Sequence, residues 1–201
     1  MEQKQLLKQK LNSKLAVKLL QKQKLLYQTL EITSFALFAS IGVLGRSLTQ
    51  FLPSVEPITF ITLLFGSIFG FRKTIYLGAA TWLLSNFFVF GGHGPWSVLH
   101  ATAGALTGLI AYFIMKKRTT TRLFISMTLA TLGFELIMNL PIYSFSNFLG
   151  YLSIPFILLH LISNSILVFT IPFLRKRFNR FFCLNERQAL DEIQNHIKNE
   201  N

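Results

Sequence analysis

The feature that most constrains the fold is a series of long apolar segments separated by proline, glycine or clusters of basic residues. A helix needs about 20 apolar residues to cross the hydrocarbon core of a bilayer, and a mean hydropathy of +0.46 is typical of a multi-span membrane protein. The sequence therefore predicts an all-α integral membrane protein with a six-helix membrane domain at residues 31–174. The predicted spans are Ile32–Leu52, Ile58–Phe71, Thr74–Phe90, Val98–Met115, Leu123–Phe145 and Leu152–Leu174.

The positions of the basic residues predict how these spans are oriented. With six spans, 19 of the 20 Lys and Arg residues fall on one side of the membrane, and the opposite loops 53–57, 91–97 and 146–151 contain none. Cytoplasmic loops carry the excess of Lys and Arg. We therefore expect a multi-pass protein of the cell membrane with both termini in the cytoplasm and loop 91–97 outside.

The two ends of the chain are predicted to form separate segments. Residues 1–30 contain seven lysines and leucines at helical spacing, which is typical of a basic amphipathic helix lying on anionic lipid. A solvated tail that only sets orientation is the alternative. Residues 175–201 are predicted to be a helical cytoplasmic tail. Because orientation explains the net charge of +12, that charge does not indicate a nucleic-acid partner.

The second and third predicted spans are short, and the stretch Ser85–Trp96 follows them. Irregular backbone is tolerated at membrane depth only where protein or a water-filled cavity surrounds it. We therefore expect an indentation on the outer side. Three glycines and Pro95 exclude a regular helix in the second half of this stretch, which is either an ordinary loop or part of a small-molecule pocket.

Two ionisable residues, Arg46 and Glu135, stand out within the predicted spans. Each costs about 2.5–3.5 kcal/mol on the insertion scale, so each needs a partner. Arg46 has three candidate partners: Glu135, Glu56 in the first outer loop, or a ligand.

Other polar residues are four positions apart and therefore share a helix face. For His160 with Asn164, we favour interhelical hydrogen bonds that specify packing. The other sets are Arg46 with Gln50, Trp82 with Asn86, and Glu135 with Asn139 and Tyr143, mostly in the outer half of the predicted spans. Each of them taken alone is also explained by interhelical hydrogen bonds. For Glu135, Asn139, Asn86 and Trp96 together, we favour a ligand pocket.

Several kinds of chemistry have no sequence motif in this chain. It contains no P-loop, no His-Glu-x-x-His and no Gly-x-Ser-x-Gly, and its single cysteine excludes a Cys-based metal cluster. We therefore predict no enzymatic activity, no metal and no cofactor.

Four features in order resemble the substrate-binding (S) components of energy-coupling factor vitamin transporters. They are an arginine late in the first helix, a Pro-x-x-x-Pro turn followed by Thr59, a Gly-x-x-x-Gly before the inner turn, and Ser-Asn-Phe-Phe followed by Gly-Pro-Trp. The motifs cover about a third of the chain and the predicted topology nearly all of it.

The resemblance implies a subunit that binds a vitamin or related micronutrient in an outward-facing pocket. Uptake would be driven by ATP through a transmembrane coupling protein and two cytoplasmic ATPases. It also implies that small residues on the first helix, here Ala36 and Ser40, contact the coupling protein. Together with the polar faces, it predicts these substrate-binding residues: Arg46, Gln50, Thr59, Asn86, Trp96, His100, Glu135, Asn139 and Tyr143.

The ligand and two other functions stay open at this point. Cobalamin is suggested by the resemblance alone, and riboflavin, pantothenate or a pyrimidine precursor are not excluded. A small membrane enzyme acting on a lipid or isoprenoid, with Glu135 as acid or base, is the main alternative. A packing partner without a ligand is the third hypothesis.

Overall fold

The structure, a computed structural model, describes residues 2–52, 55–116, 119–145, 147–178 and 180. Within these ranges it contains seven α-helices and no strand, which confirms the all-α class for this part of the chain. The helices are α1 (Glu2–Thr49), α2 (Pro57–Phe69), α3 (Phe71–Ser85), α4 (Trp96–Lys116), α5 (Thr120–Phe145), α6 (Asn147–Val168) and α7 (Ile171–Phe178).

The chain divides into two compact units. One comprises Phe35–Lys176, and the other comprises Met1–Ser34 with Arg177–Asn201. α1 runs without a break past residue 30, where the amphipathic segment was predicted to end. Residues 181–201 of the predicted tail lie outside the described residues, and so do most side chains of residues 1–30. The interfacial role of the first segment and the cytoplasmic role of the tail stay predictions.

Three of the described helices contain segments long and apolar enough to cross a membrane. These segments are Lys24–Thr49, Trp96–Phe113 and Thr120–Asn139. A fourth candidate is the broken pair Ile154–Val168 and Ile171–Phe178. The described part of the chain therefore has three to four candidate spans, which is compatible with a membrane protein.

The last predicted span is not one continuous helix. α6 ends at Val168, and the segments on either side of residues 169–170 are bent by 44°. Pro172 has no N–H to donate to the carbonyl of Val168, so the helical ladder cannot continue through this point. The Thr170 hydroxyl instead donates to Leu167 O at 2.7 Å. The break therefore follows from the proline and the turn before it.

α2 forms the centre of the larger unit. Every residue from Ile58 to Ser67 is buried, so this helix is covered on all sides. At 13 residues α2 is about 20 Å long, and at 15 residues α3 is about 22 Å long. Both are shorter than the roughly 30 Å of a hydrocarbon core, as the sequence predicted.

α3 and α4 cross with their backbones in contact. A Cβ atom added at Gly78 would collide with the carbonyl of Gly104, and one added at Gly104 would collide with the backbone of Gly78. One turn further along α4, Gly108 lies against the backbone of Ile75. Gly104 and Gly108, four residues apart on α4, therefore form the face that contacts α3. This crossing fixes the end of α3 beside the start of α4, where the irregular stretch begins and ends.

Candidate functional site

Arg46, near the end of α1, lies at the centre of the candidate site. Its Nη1 atom donates to Ser85 Oγ and to Asn86 Oδ1, both at 2.7 Å. Its guanidinium carbon lies 4.5 Å from the ring centroid of Trp82, a cation–π contact. Ser85 ends α3 and Asn86 is its C-cap, so the arginine is held by the last turn of a neighbouring helix.

α3 ends five residues earlier than the sequence predicted. The N–H groups of Phe87 and Phe88 donate to Leu84 O at 3.2 Å and to Ser85 O at 2.9 Å, three residues back instead of four. These tight turns release Asn86 from the helix. Its side chain is thereby available to join Arg46 on one side and the following loop on the other.

Residues 86–95 form an irregular loop closed by its own hydrogen bonds, as the glycines predicted. Ser97 Oγ accepts from Asn86 Nδ2 and from Gly94 N, both at 3.1 Å, and lies 3.3 Å from His93 Nδ1. Trp96 Nε1 donates to Gly92 O at 3.0 Å. Gly92 itself has φ of 54°, a conformation that favours glycine. The Ser97 hydroxyl therefore links the first residue of the loop to its last residues.

Gln50, one turn beyond Arg46, ties α1 to the same loop. Its Oε1 accepts from Phe90 N at 3.0 Å, and its Nε2 donates to Ser47 O at 2.8 Å. The predicted shared face of Arg46 and Gln50 is therefore directed at the stretch Ser85–Trp96.

A cavity of about 220 Å³ opens beside Arg46. Its walls come from the end of α1, the segment before α2 and the loop after α3. The lining residues are Arg46, Thr49, Gln50, Leu52, Val55, Glu56, Val89 and Phe90. Charged, amide and aromatic groups thus converge on one small space.

Glu56 is the counter-ion of Arg46, but the two are not hydrogen-bonded. Glu56 Oε2 lies 3.8 Å from Arg46 Nε, beyond hydrogen-bond reach. The Arg46 side chain is 12% exposed and that of Glu56 is 24% exposed, and the Oε2 atom itself is buried. Burial raises the pKa of the Glu56 carboxyl, the charge of Arg46 opposes this rise, and the neighbouring charges of His160 and Glu135 act in opposite senses.

A layer of aromatic rings packs against the face of Trp82. His100 and Phe134 each stack on Trp82 with centroids 4.7 Å away, and Phe134 meets His160 edge-on at 5.5 Å. Trp82 and His160 are fully buried. Trp82 Nε1, His100 Nδ1 and His160 Nε2 have no hydrogen-bond partner within the described structure. The core next to Arg46 is therefore aromatic with several unpaired polar atoms.

Glu135 belongs to a separate network. Its Oε1 lies 2.6 Å from His160 Nδ1, and its Oε2 accepts from Asn139 Nδ2 at 2.9 Å. Of the candidate partners of Arg46, Glu56 lies beside it, whereas Glu135 contacts His160 instead. Asn164 donates to Thr131 Oγ1 at 2.8 Å, so His160 and Asn164 both make the interhelical hydrogen bonds that the sequence favoured.

The nine predicted substrate-binding residues therefore fall into several groups. Arg46 and Gln50 line the cavity. Asn86 holds Arg46, and Trp96 is 41% exposed at the start of α4. His100 is in the aromatic layer, and Glu135 and Asn139 form their own network.

Two predicted residues remain. Thr59 is fully buried in α2 with its hydroxyl unpaired among the described residues. The side chain of Tyr143 lies outside the described residues.

Sequence reasoning missed three functional-site residues that the structure brings together. Ser85 accepts a hydrogen bond from Arg46, and Ser97 accepts one from Asn86. Glu56 was considered only as a partner of Arg46, whereas it also lines the cavity. The carboxylate in the Pro-x-x-x-Pro turn was the available signal, since it directly follows the predicted span that contains Arg46, and an arginine within a span needs a partner.

Comparison of the chain with protein-family models, with curated proteins and with solved structures found no match.

Proposed function

We propose that this chain is the substrate-specific membrane subunit of an energy-coupling factor transporter, with six spans and both termini in the cytoplasm. Three to four candidate spans, two shorter helices and the one-sided distribution of basic residues support this topology. Its role is to bind a vitamin-like micronutrient from outside, while partner subunits supply the ATPase.

The observation that carries this proposal is the cavity beside Arg46. A guanidinium has five N–H donors, and only Nη1 of Arg46 makes hydrogen bonds with described residues. The Nε and Nη2 atoms form the edge that binds a carboxylate or phosphate in bidentate fashion. An intramembrane arginine held by Ser85, Asn86 and Trp82, with this edge uncommitted and a cavity beside it, is suited to an acidic ligand.

The volume of the cavity favours a small ligand. An engineered cavity of about 150 Å³ holds one benzene ring, so 220 Å³ suits a single ring with substituents. Among the candidates from the sequence, a pyrimidine precursor or pantothenate fits this volume better than riboflavin, and cobalamin fits it least.

Ala36 and Ser40 are proposed to contact the coupling protein. Both are exposed on α1, while the buried face of the helix uses Phe38, Ala39 and Gly42. Small exposed residues four positions apart allow close approach of another helix. Membrane lipid covers the other apolar positions of this face.

Ligand binding by the purified full-length protein tests the proposal. We expect native mass spectrometry to detect a co-purified small molecule, and we expect a panel of vitamins and their precursors to contain one that raises the unfolding temperature. Arg46→Gln should weaken that binding by at least about tenfold, since a charge-assisted hydrogen bond contributes about 1.5–3 kcal/mol. Arg122→Gln, which removes an arginine that does not line the cavity, is the matched control. Absence of any ligand in both measurements would refute the proposal.

A second candidate function is a membrane enzyme acting on a lipid or isoprenoid. The observation in its favour is the short contact between Glu135 and His160, a carboxylate–imidazole pair of the kind used in acid–base catalysis. Glu135→Gln separates the two functions, because an enzyme would lose turnover while retaining binding, and a binding subunit has no turnover to lose.

A further inference from the structure

We infer that the ligand of this cavity carries a basic or hydrogen-bond-donating nitrogen as well as an acidic group, so that the site selects ligands with both groups over simple anions. This inference rests on the proposed function, because it names the substrate class of the same cavity. It is carried by Glu56, which lines that cavity beside Arg46.

The first step is that Glu56 lacks hydrogen-bond partners. Neither of its carboxylate oxygens accepts a hydrogen bond from a described residue, and Oε2 is buried in that unpaired state. A buried carboxylate oxygen without a donor is costly, because it has lost water and gained no hydrogen bond in return. The Glu56 side chain as a whole is 24% exposed, so a ligand N–H group in the cavity would give this carboxylate the donor that it lacks.

The second step is the spacing of the two charges. Arg46 Nε and Glu56 Oε2 are 3.8 Å apart, close enough to attract but too far apart for a hydrogen bond. Arg46 cannot approach further without leaving Ser85 and Asn86, which hold its Nη1 at 2.7 Å. The two charges are therefore fixed side by side at the wall of one cavity. The donor edge of Arg46 and the carboxylate oxygens of Glu56 form no hydrogen bond with each other.

The third step is discrimination. A simple anion bound to Arg46 would bring a second negative charge close to Glu56, and like charges in a poorly solvated site repel strongly. A zwitterion avoids this repulsion because its positive group neutralises Glu56 while its acidic group binds Arg46. The apolar part of such a ligand would contact Val55, Val89 and Phe90.

A matched set of single-ring probes tests the inference on the full-length protein in detergent or nanodiscs. The probes are phenylalanine, phenylpropionate, which lacks the amino group, and phenethylamine, which lacks the carboxylate. We expect phenylalanine to bind the wild-type protein at least about tenfold more tightly than either analogue, the effect of one charge-assisted hydrogen bond. In Glu56→Gln, phenylalanine and phenylpropionate should bind equally. Glu31→Gln, which removes a carboxylate that does not line the cavity, should leave the preference unchanged.

The results separate this inference from the proposed function. Equal binding of phenylalanine and phenylpropionate by the wild-type protein, or failure of all three probes to bind, overturns the inference. A co-purified ligand with an acidic group but no N–H donor also overturns it and leaves the proposed function standing. Failure of the proposed function shows itself differently, as absence of any co-purified molecule and of any response to the vitamin panel.

Discussion

At the scale of single residues, the site depends on an arginine that lysine could not replace. Arg46 uses one nitrogen for two hydrogen bonds and its flat face for Trp82, and still has a donor edge facing Glu56. A lysine ammonium is a point charge and cannot do these three things at once. The hydrogen bonds also explain how a charge can persist near a membrane, because Ser85 and Asn86 replace the water that it loses.

Glu56 predicts how stability changes with pH. Burial raises its pKa, so in the folded protein the carboxyl keeps its proton at pH values where the unfolded chain, with an ordinary pKa near 4.5, has lost it. The folded state then binds more protons, and stability falls as pH rises from about 4.5 through the raised pKa. We expect the unfolding temperature of the wild-type protein to fall over this window and that of Glu56→Gln to fall less. Thermal unfolding of both proteins across a pH series measures this, and identical slopes would contradict it.

At the scale of elements, the crossing of α3 with α4 positions the site. Both ends of the loop 86–95 depend on this crossing. α3 supplies Ser85 and Asn86, which hold Arg46, and α4 supplies Ser97, which accepts from Asn86. The contact is made backbone to backbone through Gly78 and Gly104, so no side chain can be inserted between the helices.

Gly104→Ala tests this crossing. The added Cβ would collide with the backbone of Gly78 and with the Trp82 ring, and overpacking of this kind costs about 1–3 kcal/mol or more. Gly133→Ala is the matched control, because its Cβ would meet only the flexible end of Leu106. Both variants gain the same helix propensity, so the difference between them reports the crossing. We expect a clearly lower unfolding temperature for Gly104→Ala, measured by thermal denaturation, and equal temperatures would show that the crossing tolerates a methyl group.

The elements were largely predictable from the sequence, and the contacts within the site were not. Apolar runs bounded by proline, glycine and basic residues place α2, α4 and α5 within a few residues, since each boundary has a local cause. The early end of α3 was missed, because it depends on Asn86 bonding to Arg46 and Ser97 on other helices. Similarly, helical spacing shows that Glu135 needs a partner but not that His160 provides it. Such choices depend on helix packing, which a single sequence does not encode locally.

At the scale of the whole molecule, the open structural question is how often α2 and α3 cross the bilayer. Both are too short to span about 30 Å as straight helices. As two thin spans they give six crossings, and as a re-entrant pair they give four. In either case the loop 86–95 would lie on the same side of the membrane as the end of α1, because both arrangements put an even number of crossings between them. The loop is therefore a poor probe of the number of crossings, and the turn between α2 and α3 is the informative place.

Cysteine accessibility at that turn decides between the two topologies. In a Cys183→Ser background, Arg72→Cys on the exposed start of α3 tests the proposed six-span topology, in which Arg72 and Lys73 lie in the cytoplasm. If that topology is right, a membrane-impermeant maleimide should label position 72 only after the cells are permeabilised. In the same background, His93→Cys in the exposed loop should be labelled on intact cells. In the wild-type protein, the native Cys183 should behave like position 72. A re-entrant pair would hold position 72 at membrane depth or on the outer side. At membrane depth it would stay unlabelled under both conditions, and on the outer side it would be labelled without permeabilisation. Either pattern would reduce the number of spans to four and would remove the proposed inner exposure of the α2–α3 turn, while the cavity beside Arg46 would still face the outside.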